Sequence, residues 1–150
     1  MRAITLPDPA ATRLLGAALA GVVRQGDVIG LSGDLGAGKT ELARGFIAAL
    51  AGPEVEVTSP TFNLVLTYDL PRATIWHFDL YRVERSEELA ELGLEDAFAD
   101  GISLVEWPDR LGRNWPAGGL RVELEAEGTG RRATLDGGGD WAARLKDLAA

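Results

Sequence analysis

The sequence predicts an α/β fold, a mixed β-sheet flanked by helices, and three observations lead to it. Two short runs, Val28-Ile29-Gly30-Leu31 and Ile102-Ser103-Leu104-Val105, are almost wholly apolar, as strands buried on both faces of a parallel sheet tend to be. Segments with apolar residues at helical spacing separate these strand-like runs. Near the C-terminal end, Val122, Leu124 and Ala126 alternate with Arg121, Glu123 and Glu125, the two-residue period of a strand with one wet face. Strand signals that alternate with helix signals point to α/β, and the alternating C-terminal segment adds antiparallel pairing.

Asp8-Pro9 reads as a helix start, Asp as N-cap and Pro at the first helical position. The helix is expected to run to about Arg24, with Leu14, Leu15, Ala18, Leu19 and Val22 on its apolar face. Gly26-Asp27 turns the chain into the first buried-type strand. A second helix is expected over residues 40–50, carrying Leu42, Phe46, Ile47 and Leu50 on one side. Thr58-Ser59-Pro60-Thr61-Phe62 is a loop, because a proline steers the residue before it away from helix. Residues 64–68 and 74–80 read as strands joined by a turn around 69–72. Ser86 caps a helical region that opens with Glu87 and Glu88 and continues to about Asp100. Gly128-Thr129-Gly130 folds residues 120–127 onto residues 131–135 as a hairpin, and Trp141, Leu145 and Leu148 mark a closing helix.

With 150 residues the chain has the length of one domain, and no linker, repeat or low-complexity stretch divides it. Its longest apolar stretch, residues 14–23, is shorter than the roughly 20 residues that span a bilayer. The N-terminal residues Met1-Arg2-Ala3-Ile4-Thr5-Leu6-Pro7 carry no signal-peptide pattern. There is no cysteine, which removes disulfides, thiolate metal sites and Cys nucleophiles and suits a cytoplasmic location. The net charge of −8 repels phosphate backbones, so stable direct binding of nucleic acid is not expected.

One segment carries specific chemistry. Gly33-Asp34-Leu35-Gly36-Ala37-Gly38-Lys39-Thr40 fits the pattern G-x-x-x-x-G-K-[ST] without a mismatch. Glycines let successive backbone N–H groups point inward at phosphate oxygens, and the helix that follows adds the positive end of its dipole. Lys39 can reach the β- and γ-phosphates, and the Thr40 hydroxyl can ligate Mg²⁺. A buried-type strand before the loop and an amphipathic helix after it, opened by Glu41, supply the setting this motif requires.

A phosphate loop needs a carboxylate near the metal, and two strand-end acids qualify. Glu106 ends the strand that begins at Ile102, and Asp79 follows Thr74-Ile75-Trp76-His77-Phe78. The hydroxyl-rich loop around Thr61 is placed to fold over a γ-phosphate as a switch. His77, the only histidine, shares a strand face with Asp79 and Tyr81 by alternation. It reads as a hydrogen-bonded structural residue or one that orients Asp79. Trp107 either packs against a nucleotide or belongs to the core or rim. Arg131 and Arg132 offer positive charge to a nucleotide, with solvated arginines as the plainer reading for Arg132.

Guanine selectivity through N-K-x-D is absent, since the only asparagines are Asn63 and Asn114. The only glutamine, Gln25, precedes the loop, so no downstream glutamine orients an attacking water. A small-molecule kinase remains an alternative, with Arg82, Arg85, Arg110 and Arg113 as lid candidates. A nucleotide-gated binding module is a third reading.

Taken together, the motifs closely resemble the TsaE family of bacterial P-loop ATPases in tRNA threonylcarbamoyladenosine biosynthesis. The resemblance rests on the loop 33–40, Thr58-Ser59-Pro60-Thr61-Phe62, His77-Phe78-Asp79-Leu80-Tyr81-Arg82, Glu88-Leu89 with Leu92-Gly93, and Glu106-Trp107-Pro108. It covers roughly residues 9–132; after Gly128 the chain carries no motif of the family. The resemblance implies a P-loop NTPase-like three-layer sandwich and ATP or ADP with Mg²⁺ as ligands. Lys39 would bind phosphate, Thr40 and Glu106 would hold the metal, and Asp79 would serve hydrolysis. Gly33, Asp34, Leu35, Gly36, Ala37, Gly38, Glu41, Thr61 and Trp107 would line the nucleotide, with Thr12 and Arg131 as further contacts. It also implies action with TsaB and TsaD proteins, slow turnover without them, and no membrane association.

Overall fold

The computed structural model describes residues 1–34, 36–58, 60, 64–146 and 148. Seven strands form one sheet: β1 (Arg2–Leu6), β2 (Val28–Ser32), β3 (Val65–Asp69), β4 (Thr74–Asp79), β5 (Ile102–Glu106), β6 (Leu120–Glu127) and β7 (Gly130–Gly137). Their spatial order is β1-β7-β6-β2-β5-β4-β3. The centre is parallel, with β2 between β5 and β6 and with β4 on the far side of β5. The flanks are antiparallel, β3 on β4 and the β6–β7 hairpin extended by β1. A mixed sheet of this kind is what the alternating signals predict.

Helices cover both faces. The alternation along β2 shows the division: Ile29 and Leu31 join the larger apolar cluster, and Val28 joins the smaller one. The larger cluster includes Leu15 and Leu19 of α1 (Pro9–Ala20), Leu42, Phe46 and Ile47 of α2 (Lys39–Ala51), and Trp141 and Leu145 of α5 (Trp141–Lys146). The smaller includes Leu89 of α3 (Ser86–Ala90), Leu94 and Ala97 of α4 (Leu94–Asp100), and Leu111 of a 3₁₀ segment, Pro108–Asn114. No helix among the described residues is long and apolar enough to cross a membrane.

Several boundaries differ from expectation. Strand β1 had no counterpart in the sequence reading; it exists because Ile4 pairs with Ala133 across nearly the whole chain. Asp8 caps α1 through Ala11 N at 2.8 Å, as Asp-Pro suggests, but the helix ends at Ala20 rather than near Arg24. Asp27 then anchors the turn by accepting from Arg24 N and from both terminal nitrogens of Arg144. The single helical region expected up to Asp100 is two helices with Gly93 between them in the left-handed conformation. Its start is also different: α3 begins at Ser86 itself, and the Glu88 carboxylate accepts from the backbone N–H groups of Glu84 and Arg85. Tyr81 lies beyond the end of β4 and is exposed, so it does not share the buried face of His77 and Asp79.

Helices α1 and α2 meet at backbone distance. A Cβ on Gly45 would run into the Arg13 carbonyl oxygen and carbon, groups that cannot rotate away. Intrinsic helix propensity favours alanine over glycine by about 1 kcal/mol, so packing and propensity predict opposite signs here. We expect Gly45→Ala to destabilise by about 1–3 kcal/mol through overpacking. A urea midpoint at or above that of the wild type would show that the helices separate freely.

Candidate nucleotide site

The phosphate loop leaves the carboxyl end of β2 and enters α2. That is where parallel strands of an open α/β sheet leave a crevice for ligands. Two features make it a cradle for an anion. At Gly33 φ is +145°, and a Cβ would stand 2.5 Å from the Leu124 carbonyl oxygen, so only glycine lets the chain pass. The N-cap of α2 is Gly38, which has no side chain to occupy the first N–H groups of the helix. Those donors face the loop with the helix dipole behind them.

Lys39 is buried at the start of α2. Its Nζ donates to the carbonyls of Gly33 at 2.5 Å and Asp34 at 2.9 Å. It also lies 4.3 Å from the centroid of the Trp107 ring, a cation–π contact. Burial pulls its pKa below the usual lysine value, and the charges of Glu106, Asp79 and Asp34 act against that shift. Trp107 reaches this place because it takes the left-handed conformation, φ 62° and ψ 53°, at the end of β5. That costs a non-glycine residue about 1–3 kcal/mol. The Tyr81 ring packs on the indole at 4.8 Å between centroids.

The two candidate carboxylates come together. Asp79 and Glu106 are register partners at the ends of parallel strands β4 and β5, so their side chains leave the same sheet face. Both are buried, Asp79 5 % and Glu106 3 % exposed. Asp79 Oδ1 accepts from Tyr81 N at 3.1 Å. The positive charge of Lys39 interacts with both carboxylates. Two buried carboxylates side by side suit a divalent cation with oxygen ligands, with the Thr40 hydroxyl next to Lys39 as a further oxygen. The residues present therefore fit Mg²⁺ together with a polyphosphate. His77, expected to be a hydrogen-bonded structural residue or one that orients Asp79, is buried and hydrogen-bonded, and its partner is Glu106, with Nε2 2.7 Å from Oε2.

Arg131 enters from β7. Its Nε donates to Ala37 O at 3.1 Å and its Nη2 to Gly36 O at 3.1 Å, while Nη1 bonds Gly130 O. One guanidinium thus ties the hairpin to the back of the phosphate loop. Thr12, buried on α1, lies in a cleft with Gly36, Gly38, Glu41 and Arg131, where the β6–β7 turn faces the start of α1. Glu41 bridges Arg13 at 2.7 Å and Arg44 at 2.6 Å. Arg132 points elsewhere, toward Glu127 at 3.8 Å. Leu35 and Thr61 lie outside the described residues. Sequence reasoning missed the bridging role of Glu41 and the backbone partners of Arg131; only the i, i+3 spacing of Glu41 and Arg44 hinted at the former.

A family model described as "Threonylcarbamoyl adenosine biosynthesis protein TsaE" matches residues 6–134. A Rickettsia bellii protein named tRNA threonylcarbamoyladenosine biosynthesis protein TsaE is 39% identical over 114 residues, covering 76% of this chain and 79% of that one. A Bacillus subtilis protein of the same name is 34% identical over 126 residues, covering 83% and 78%. The crystal structure of Bacillus subtilis YdiB superposes with a TM-score of 0.82 at 27% identity, covering 98% of this chain and 93% of that chain.

Two outcomes follow from the geometry. Arg131→Ala removes charge-assisted bonds worth about 1.5–3 kcal/mol each when well formed. Titration calorimetry should show ADP bound about tenfold more weakly, and Arg131→Lys should recover only part, because an ammonium does not span two carbonyls as a guanidinium fork does. Unchanged affinity in folded Arg131→Ala would separate the hairpin from the loop. The Arg13 hydrogen bond, aided by Arg44, holds the Glu41 carboxyl below its ordinary pKa of 4.5. A depressed carboxyl stabilises the fold above its unfolded pKa and loses that contribution as pH falls through the folded value. Glu41→Gln should therefore cost about 0.5–1 kcal/mol near neutral pH, and the difference from wild type should narrow below pH 4.5, measured by denaturation across pH.

Proposed function

The chain belongs to the TsaE family, and from that membership we propose that it is an ATP-binding, Mg²⁺-dependent ATPase subunit in the threonylcarbamoyladenosine modification of tRNA. The observation that supports it most is the convergence of Lys39, Asp79 and Glu106 at the mouth of the phosphate loop. Its partners are TsaB and TsaD proteins, and its ATP turnover supports the cycle of their complex. It works in the cytoplasm. Membership favours this reading over a small-molecule kinase.

In the proposed mechanism the loop amides and the first turn of α2 hold the β- and γ-phosphates. Lys39 exchanges a loop carbonyl for a phosphate oxygen and stabilises charge that develops on the γ-phosphoryl group. Glu106 and Thr40 would hold Mg²⁺, which would supply electrostatic stabilisation of the phosphates. Asp79 would orient the attacking water. The buried surroundings of Asp79 and Glu106 strengthen each of these interactions by excluding bulk water. Thr12, Gly36, Gly38 and Arg131 border the rest of the nucleotide. The described site contains no glutamine, because Gln25 lies before β2, so turnover by the chain alone is slow.

Two measurements test the proposal. Lys39→Ala should lower ATP turnover by about 100-fold or more while circular dichroism and thermal unfolding confirm a folded chain. A folded variant with wild-type turnover sinks the assignment. Purified chain mixed with TsaB–TsaD should hydrolyse ATP faster than alone and leave no phosphorylated small-molecule acceptor. Equal rates with and without those proteins would remove the partner claim, and a phosphorylated acceptor would restore the kinase reading.

A further inference from the structure

His77 is fully buried on β4, between β5 and the edge strand β3, two residues before Asp79. Parallel pairing sets His77 opposite Leu104, so Glu106, two residues further along β5, lies diagonally across on the same face. Its Nε2 meets Glu106 Oε2 at 2.7 Å, and a carboxylate can only accept, so the hydrogen sits on Nε2. Nδ1 is equally buried and has no hydrogen-bond partner among the described residues. A hydrogen on Nδ1 would be a buried donor without an acceptor, a costly arrangement. The imidazole is therefore held in one tautomer and one orientation, and its single polar contact among the described residues is a site carboxylate.

We propose that His77 is a positioning residue for Glu106: by donating Nε2–H to Oε2 it fixes the carboxylate's rotation and leaves Oε1 to face the metal and phosphates. This rests on the metal-binding reading of Glu106 above. A glutamate has three side-chain torsions, and in a buried site an unrestrained one would swing toward the Lys39 ammonium, whose charge attracts it. The histidine bond opposes that collapse, so the carboxylate is oriented before Mg²⁺ enters. Outer partners that orient a ligand in this way change metal affinity by about 10–100-fold when removed. The Asp79 carboxylate accepts from the backbone N–H of Tyr81.

The test measures ADP affinity by titration calorimetry, with Mg²⁺ and with EDTA, for wild type, His77→Gln and His77→Leu. Glutamine can place an N–H near the position of Nε2; leucine cannot donate. Wild type and His77→Gln should bind ADP more tightly with Mg²⁺. His77→Leu should lose about tenfold of the Mg²⁺-dependent part and keep its affinity in EDTA. Equal Mg²⁺ enhancement in His77→Leu, or an equal loss with and without Mg²⁺, overturns the positioning role. A wild type whose ADP affinity ignores Mg²⁺ overturns the metal reading itself. Should His77→Leu fail to fold, the wild type still decides. His77 is the only histidine, so its ring nitrogens give one set of ¹⁵N resonances. These should report the Nε2–H tautomer and shift on adding Mg²⁺ to the ADP complex. An Nδ1–H tautomer, or no response to Mg²⁺, overturns the proposal.

Discussion

A lysine buried among the ends of parallel strands β2, β4 and β5 and the loop that follows β2 is the constraint on which the rest of this structure depends. Taking an ammonium out of water is costly, and burial depresses Lys39 accordingly. The cost is offset by two loop carbonyls, an indole face and the charges of Glu106, Asp79 and Asp34. Each of these partners imposes its own demand on the fold. The carbonyls require the inward wrap of the loop. The indole requires Trp107 to hold a strained backbone conformation. The two carboxylates require β4 and β5 to run parallel in one register.

The sheet meets these demands by dividing its labour. Its parallel centre delivers the carboxyl ends of β2, β4 and β5 to one edge, where the charged groups collect. Its antiparallel flank returns the chain from the opposite side. The β6–β7 hairpin brings Arg131 back against Gly36 and Ala37, 95 and 94 residues away in sequence. Helix α1 closes the third side, and the close approach at Gly45 holds it against α2 so that Thr12 faces Gly38. The loop is thus gripped from the hairpin, from α1 and from β2.

How much of this was legible beforehand depended on the range of the interaction. The loop residues from Gly33 to Thr40 declare their conformation locally, because glycine positions, the lysine and the strand and helix around them lie within about twenty residues. The buried strands β2 and β5 and the β6–β7 hairpin were likewise visible, since apolar runs and two-residue alternation are properties of a short window. Strand β1 was not, although Ile4 and Leu6 alternate with exposed Ala3 and Thr5. Its stability comes from pairing with β7, some 130 residues on. The break at Gly93 was also hidden, because the acidic and apolar residues around it continue the helical pattern.

By itself the sequence determined that a phosphate-binding loop sits between a buried strand and a helix in an α/β chain, and it named the acids at the strand ends. Those features follow from side-chain type and local backbone preference. Only the tertiary structure decided which groups meet: that His77 turns to Glu106 rather than Asp79, that Arg131 grips the loop backbone, and that Trp107 lies over Lys39. Such contacts depend on strand order and register. A shift of one residue between β4 and β5 would send their side chains to opposite faces, and no short stretch of sequence encodes that choice.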